Sequence, residues 1–300
     1  MSKPSHKSQA KEALRPLVAL GTPRHGHGRD GLIHGLGTYR TFKEGITLLS
    51  RWLRREYGFE LDDLDESLAL NYLAERSCVV GQKALDRDRQ AIQLLLPRRL
   101  TRLRAADPHD ELAKRSRACT VEELQLIKRF LSEDAAFACD LSWEGGLRAG
   151  EIPAIRRPDE RPASSRRWDG DRFAGISPER RRIFTVRGKG GLIREVCFSP
   201  ETSERLEARR LPREIHVRDR TIDSRSAYRI CGGQALSQAW STASKRAVGF
   251  SNGFHSLRHS FAQRRVRELL ALGFAFGRAL EIVSQELGHF RPSITRAYLR

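Results

Sequence analysis

Four short stretches hold the residues that could do chemistry. Toward its end the chain reads His255-Ser-Leu-Arg258-His259-Ser-Phe-Ala262, then Leu287-Gly288-His289, then Ile294-Thr-Arg-Ala-Tyr298; far upstream lies Gly146-Leu147-Arg148-Ala149-Gly150-Glu151. Two arginines, two histidines and a tyrosine form a set that can transfer a phosphoryl group without metal or ATP. Guanidinium groups offer fixed donors to charge building on non-bridging oxygens. A phenol, with a free pKa of ~10, can serve as nucleophile once a base takes its proton. Imidazoles exchange protons near neutral pH. Taken singly each residue is weak evidence, because a helical His beside an Arg is usually a surface or core pair.

The elements that must position these residues can be read from the same stretches. His255 and Arg258 stand at i and i+3, hence on one face of a helix. Asn252-Gly253 ahead of Ser256 predicts a helix start, where free N–H groups favour an anion. Leu287-Gly288 predicts a turn that exposes His289, and Pro292 the start of a short helix carrying Tyr298. Thr120-Val-Glu-Glu123 is a capping box opening a helix through residue 131, with a second helix near 135–143 leading to Arg148. Pro153 is expected to end the Arg148 segment early and shift that arginine, since proline lacks the N–H of the ladder. Alternating β-formers in Ile183-Phe-Thr-Val-Arg187 and Ile193-Arg-Glu-Val-Cys-Phe198, joined by Gly188-Lys189-Gly190-Gly191, predict a hairpin. Between these, residues 153–182 hold nine arginines, four prolines and little apolar content, so a loop insertion is expected there, disordered or adding polyanion contacts. Further helices are expected near Leu236, Ser256, Arg278 and Pro292.

Composition narrows the partner. Fifty-five Lys and Arg against 37 Asp and Glu leave a net charge of +18, which predicts a polyanionic ligand held in a salt-sensitive way. Arginine supplies most of the excess, and its planar fork suits phosphate. No apolar run reaches the ~18 residues of a membrane span and no apolar signal segment opens the chain, so a cytoplasmic location is expected. Cys78, Cys119, Cys139, Cys197 and Cys231 are scattered without a C-x-x-C, which predicts buried free thiols rather than disulfides or a metal site.

Residues 1–36, polar and Gly-rich, read as a flexible basic arm, and the histidines His6, His25, His27 and His34 as part of a disordered tract rather than metal ligands. Residues 37–97 read as a small helical domain. Phe42, Ile46, Leu49 and Leu53 trace one helical face, while Arg40, Lys43, Arg51, Arg54 and Arg55 lie between them and are expected to meet phosphates. Residues 98–118 carry Arg98, Arg99, Arg102, Lys114 and Arg115 and read as a basic linker. Residues 119–300 form the second domain.

The tail pattern H-x-L-R-H-x-x-A, then L-G-H, then a tyrosine nine residues on, resembles the tyrosine recombinase (phage integrase) family. Gly146-Leu-Arg148-Ala-Gly-Glu151 is similar to that family's first arginine motif, and the Gly188–Gly191 turn to the site of its hairpin lysine. The resemblance in order and spacing covers residues 120–300, and more loosely the helical region as a core-binding domain. It implies a mainly α fold with a small β-sheet: a helical core-binding domain and an α+β catalytic domain closing round duplex DNA. It also implies a 3′-phosphotyrosyl intermediate made by Tyr298, with Arg148, Arg258 and His289 on the phosphate and His255 accepting the tyrosine's proton. Lys189 would be the general acid, and Glu151 and His259 supporting residues. No cofactor is implied. The partners implied are attachment-site DNA, a homotetramer on that DNA and accessory DNA-bending proteins, with integration or excision of a mobile element as the task. Family members commonly continue beyond the tyrosine with a segment that docks on a neighbour; here Arg300 closes the sequence, so either another contact assembles the tetramer or the chain is truncated. A type IB topoisomerase or a non-catalytic DNA-binding regulator are the competing readings.

Overall fold

Ser5 caps the first helix, α1 (His6–Leu14), by accepting the Ser8 N–H. Ala10 and Leu14 on this helix are fully buried, and Gln9 accepts hydrogen bonds from Ser50 Oγ and the Leu61 N–H. Burial of a leucine contributes ~1.5–3 kcal/mol, enough to dock a short polar helix. The expected flexible arm is therefore folded over residues 6–18, where Val18 and Ile33 form an isolated bridge. His6 sits at its start, with Nδ1 3.0 Å from Ser50 Oγ.

The computed structural model describes residues 4–20, 31–106, 116–220 and 222–299, with the backbone alone for Lys189 and Ile222. His25 and His27 lie outside the described residues. Two units result, Met1–Lys114 and Arg115–Arg300.

In the first unit α2 (Leu36–Tyr57) buries Ile46, Leu49, Trp52 and Leu53 and ends at Gly58, whose φ of 73° lets its N–H bond back to Arg54. α3 (Glu66–Ser77) is capped by Asp65, and α4 (Gln82–Gln93) follows. Gly45 brings α2 against α4: a Cβ there would come within 3.2 Å of Asp88 Oδ1. Asp88 is buried and takes both Nε and Nη2 of Arg76. The stretch expected to be linker belongs in part to this unit. Leu100 is buried, its N–H bonds Gln93 Oε1, and Leu103 packs on the same core.

The second unit opens with the Thr120–Glu123 capping box and α5 (Val121–Lys128), then α6 (Glu133–Gly145). A three-stranded antiparallel sheet, β1 (Ile155–Arg156), β2 (Arg182–Arg187) and β3 (Ile193–Phe198), has Ile155 opposite Val186 and Phe184 opposite Val196. Phe184, Val186, Val196 and Phe198 meet Phe137, Leu141, Leu236 and Trp240 in one core. Helix α7 (Pro200–Glu207) leads to a second, two-stranded sheet of β4 (Arg210–Asp219) and β5 (Ile222–Tyr228), which the sequence did not disclose. Arg156 staples this hairpin to β1 through Glu214 and the Arg225 carbonyl.

Helices α8 (Gly233–Val248), α9 (Ser256–Ala271), α10 (Phe276–Glu286) and α11 (Pro292–Arg296) complete the chain. α9 divides its residues between two cores. Leu257 faces the sheet, while Phe261, Val266 and Leu269 pack with Leu280, Val283 and Leu287. Among the described residues no helix is long and apolar enough to cross a membrane. Cys119, Cys139 and Cys197 are buried free thiols as expected, whereas Cys78 is exposed.

Candidate active site

The Arg148 segment follows α6 through Gly146, whose φ of 61° turns the chain sharply. A Cβ on Gly146 would lie 2.7 Å from the Phe261 ring and 3.0 Å from Leu287, so this corner is closed against two later helices. Arg148 is extended and precedes a 3-10 helix, Ala149–Ala154, that contains Pro153. The expected displacement by Pro153 does not occur, because Arg148 stands outside the helical turn. Glu151 instead holds it from both ends, accepting its backbone N–H at 3.0 Å and its Nη1.

Glu151 is buried and serves three guanidiniums. Arg194 Nη2 donates to Oε2 at 2.9 Å, and Arg258 Nη1 lies 3.8 Å from the same oxygen. Burial alone would raise this carboxyl, but Arg194, Arg258 and Arg148 hold it well below the usual carboxylate range. Three cations around one anion leave an excess of positive charge inside the site, an arrangement suited to a bound anion.

Arg258, on the first turn of α9, is wholly buried. Its Nη1 donates to the Gly146 carbonyl and its Nη2 to the Leu287 carbonyl at 2.5 Å. Desolvation pulls its pKa down to about 10, against the pull of Glu151, so it stays charged at neutral pH. Its Nη2 and the Nη2 of Arg148 both approach His289 Nε2 at 3.1 Å. Guanidinium nitrogens only donate, so Nε2 is the lone-pair nitrogen and Nδ1 carries the hydrogen. Nδ1 is buried without a partner among the described residues.

Tyr298 lies in the 3-10 turn after α11, is 8% exposed, and packs on the core of α9 and α10. Its hydroxyl is 3.1 Å from His255 Nε2 and 3.4 Å from His289 Nε2. Below the ring, the His259 ring packs with its centroid 4.6 Å away and tilted by 40°, and its Nδ1 reaches the Tyr298 carbonyl at 3.2 Å, a bond that Gln263 repeats at 3.2 Å. Desolvation first, then Arg258 and neighbouring cations, lowers His255 to about 4 and His289 to about 3. His255 keeps one edge in solvent. Both rings are neutral at physiological pH.

Arg148, Glu151, His255, Arg258, His289 and Tyr298 are thus brought together, with His259 beneath. The turn carrying Lys189 stands over the same place: the backbone at Gly188, Gly190 and Gly191 borders a cleft of about 980 Å³ that Arg148, Arg161, Arg187 and Arg225 also line. No carboxylate among the described residues pairs with Arg161, Arg187 or Arg225. A second cavity of about 380 Å³, between Phe173, Phe198, Phe261 and Arg264, touches none of the six. Among the described residues no three His, Cys, Asp or Glu side chains gather as a metal site.

Of the expected DNA contacts, Arg40, Arg51, Arg98 and Arg99 are exposed and Lys43 is half-buried beside the Tyr39 ring. Arg54 is engaged by Glu60 and the Pro4 carbonyl, Arg55 by Glu56 and Arg102 by Asp86. Lys114 and Arg115 lie outside the described residues. The sequence reading missed Arg194, although alternation with Val196 and Phe198 puts it on the buried face of β3, where a cation needs a partner. It also missed Arg187 and Arg225, which carried no motif.

No family model matches the sequence, and no curated protein does. Solved structures do. XerH site-specific recombinase, bound to a palindromic difH substrate in a post-cleavage complex, superposes with a TM-score of 0.56 at 16% identity, over 89% of this chain and 77% of that one. A lambda integrase dimer bound to a COC′ core site gives 0.53 at 14% identity, over 100% and 96%. The chain has the tyrosine recombinase fold. A lambda integrase tetramer on a Holliday junction matches this fold equally, with a TM-score of 0.53 at 14% identity over 97% of this chain and 76% of that one. The second unit is the α+β part of this fold, mainly helical with two small antiparallel sheets.

Proposed function

We propose that the chain is a site-specific DNA recombinase or integrase that breaks and rejoins duplex DNA through Tyr298. One observation carries the reading: the Tyr298 hydroxyl stands between two neutral imidazoles, one of which already accepts from both Arg148 and Arg258. The XerH and lambda integrase structures of the same fold hold DNA.

His255 Nε2 is the nearer acceptor for the phenol proton and the only one of the two whose lone pair is not already taken by guanidiniums. As base it receives that proton while Tyr298 Oη bonds to phosphorus. The bond from phosphorus to the 5′-oxygen breaks, and the leaving oxygen takes a proton from Lys189, on the turn above. A phosphate entering the site displaces the arginine–histidine contacts and takes up the guanidinium donors. His289 then turns donor, since an anion at Nε2 favours the protonated ring. The phosphotyrosyl ester keeps the bond energy, and attack by a 5′-hydroxyl reverses the steps. Synapsis by four copies, DNA-bending accessory proteins and a role in moving a mobile element belong to the same reading.

The test is a pool of nicked duplexes cut from the DNA that surrounds the gene, incubated with the protein and resolved under denaturing conditions. A covalent protein–DNA adduct at one sequence is expected. No adduct with any member of the pool contradicts the reading, and relaxation of any supercoiled plasmid without site preference favours a topoisomerase instead.

A further inference from the structure

The arginine-rich segment between the first arginine motif and β2 is not a loose loop. Ser164 clips onto the start of β3, its N–H to the Ile193 carbonyl and its Oγ to the Ile193 N–H, both at 3.0 Å. A few residues on, the Asp169 N–H donates to Gln285 Oε1 at 2.7 Å, and Asp169 and Asp171 both pair with Arg278 of α10. The segment therefore joins the strand that leaves the Lys189 turn to α10, the helix that leads into His289. Trp168 stands between these anchors. Its Nε1 donates to the Ser164 carbonyl at 3.0 Å, and the Arg172 guanidinium covers its ring at 4.4 Å while bonding Glu195.

What Trp168 touches is Phe290, the residue after His289. The rings are 5.0 Å apart and tilted by 49°, with the Arg166 guanidinium 5.2 Å from Phe290. Phe290 has a φ of 52° and Gly288 one of 73°, so His289 hangs between two left-handed residues. Glycine adopts that conformation freely; phenylalanine does so only when its surroundings impose it. On the near side the His289 and Gly288 N–H groups are fixed by the Ser284 and Gln285 carbonyls. On the far side the grip is the ring contact. A catalytic histidine is usually oriented by a bond at its second nitrogen, but His289 Nδ1 is buried without one among the described residues. Beyond the contacts of Nε2 with Arg148, Arg258 and Tyr298, its orientation comes from the loop.

Resting on the function proposed above, we infer that Trp168 is a positioning residue: by clamping the strained Phe290 it sets the His289 ring against Arg148, Arg258 and Tyr298. The arginine-rich segment then acts as a brace of the catalytic loop rather than as a DNA-binding insertion.

Trp168→Ala should lower the single-turnover rate of adduct formation by roughly ten- to a hundredfold, as expected for an ångström-scale misplacement, with DNA affinity unchanged. Trp168→Phe should recover most of the rate. In a His289→Ala background Trp168→Ala should cost nothing further, and Phe290→Ala should behave like Trp168→Ala. A loss that multiplies with His289→Ala, or a Trp168→Ala rate within about twofold of wild type, overturns the inference. A readout free of catalysis accompanies it. In the NMR spectrum of the free protein the His289 ring should shift in Trp168→Ala and begin to titrate near neutral pH. Unchanged His289 resonances in a folded Trp168→Ala protein overturn the clamp even if no DNA substrate reacts. Absence of any wild-type adduct sinks the proposed function instead.

Discussion

The Tyr298 hydroxyl lies 3.1 Å from Nε2 of His255, across 43 residues of sequence. The pair joins the start of α9 to the last turn of the chain, and it exists because Tyr298 packs into the α9–α10 core while His259 and Gln263 hold its carbonyl. Phenol and imidazole are therefore paired within one chain, in the arrangement that the proposed roles of nucleophile and base require.

The first prediction concerns that base. His255→Ala should slow adduct formation about a hundredfold or more, within the range for loss of a general base, while leaving duplex affinity near wild type. A rate within a few-fold of wild type would pass the role to His289.

The second concerns pH. Folding lowers both histidines, to about 4 and about 3, from an ordinary value near 6.5. Below that ordinary value the unfolded chain binds more protons, so stability is full above ~6.5 and falls as pH drops toward the folded values. Denaturant unfolding should show lower stability at pH 5 than at pH 7.5, and His255→Ala/His289→Ala should flatten the difference. On phosphate binding the two rings should become easier to protonate, visible as an upward shift of their NMR titrations when DNA is added.

A third prediction addresses Glu151, which faces three arginines. Its folded pKa is depressed, so its contribution is complete at neutral pH and is lost only in acid. Glu151→Ala leaves buried guanidiniums uncompensated and should destabilise the second unit by about 3–5 kcal/mol, measured by chemical denaturation at pH 7. Arg194→Ala should do comparable damage, since it strips Glu151 of its closest buried partner. Loss of under about 1 kcal/mol in both would remove the network from the account.

The fourth concerns the cleft beside Arg148. Arg187 and Arg225 line it, and no carboxylate among the described residues pairs with either. If both meet phosphates, the double alanine variant should reduce the dependence of log K on log salt by about two. An unchanged slope with unchanged affinity would leave the cleft outside the DNA path.

Much of the site was legible because chemistry fixes residue types. Arg148, His255, Arg258, His289 and Tyr298 are the residue types that the proposed phosphate chemistry requires, and the structure brings them together; short spacings within α9 and around Gly288 carry their geometry. Elements held by polar contacts were not legible. α1 and the 3-10 turn after it show a stripe of only Ala10, Leu14 and Leu17, too thin to stand out from a basic tract. β4 is exposed along most of its length and contains Pro212, so its alternation has no apolar face to display. Residues 153–182 read as a loop for a related reason: apart from Ile155 and Phe173, which are buried, they are stapled by Arg156, Arg161 and Arg172 and by Trp168. Arg194 was legible only through strand alternation, once β3 had been recognised.

The central claim is that Tyr298 attacks phosphorus. A nicked suicide duplex carrying the cleavage site, labelled at the scissile phosphate, tests it by mass spectrometry of the trapped peptide. The account predicts label on the peptide that contains Tyr298 and none from Tyr298→Phe. An adduct that survives Tyr298→Phe, or label on any other residue, contradicts it.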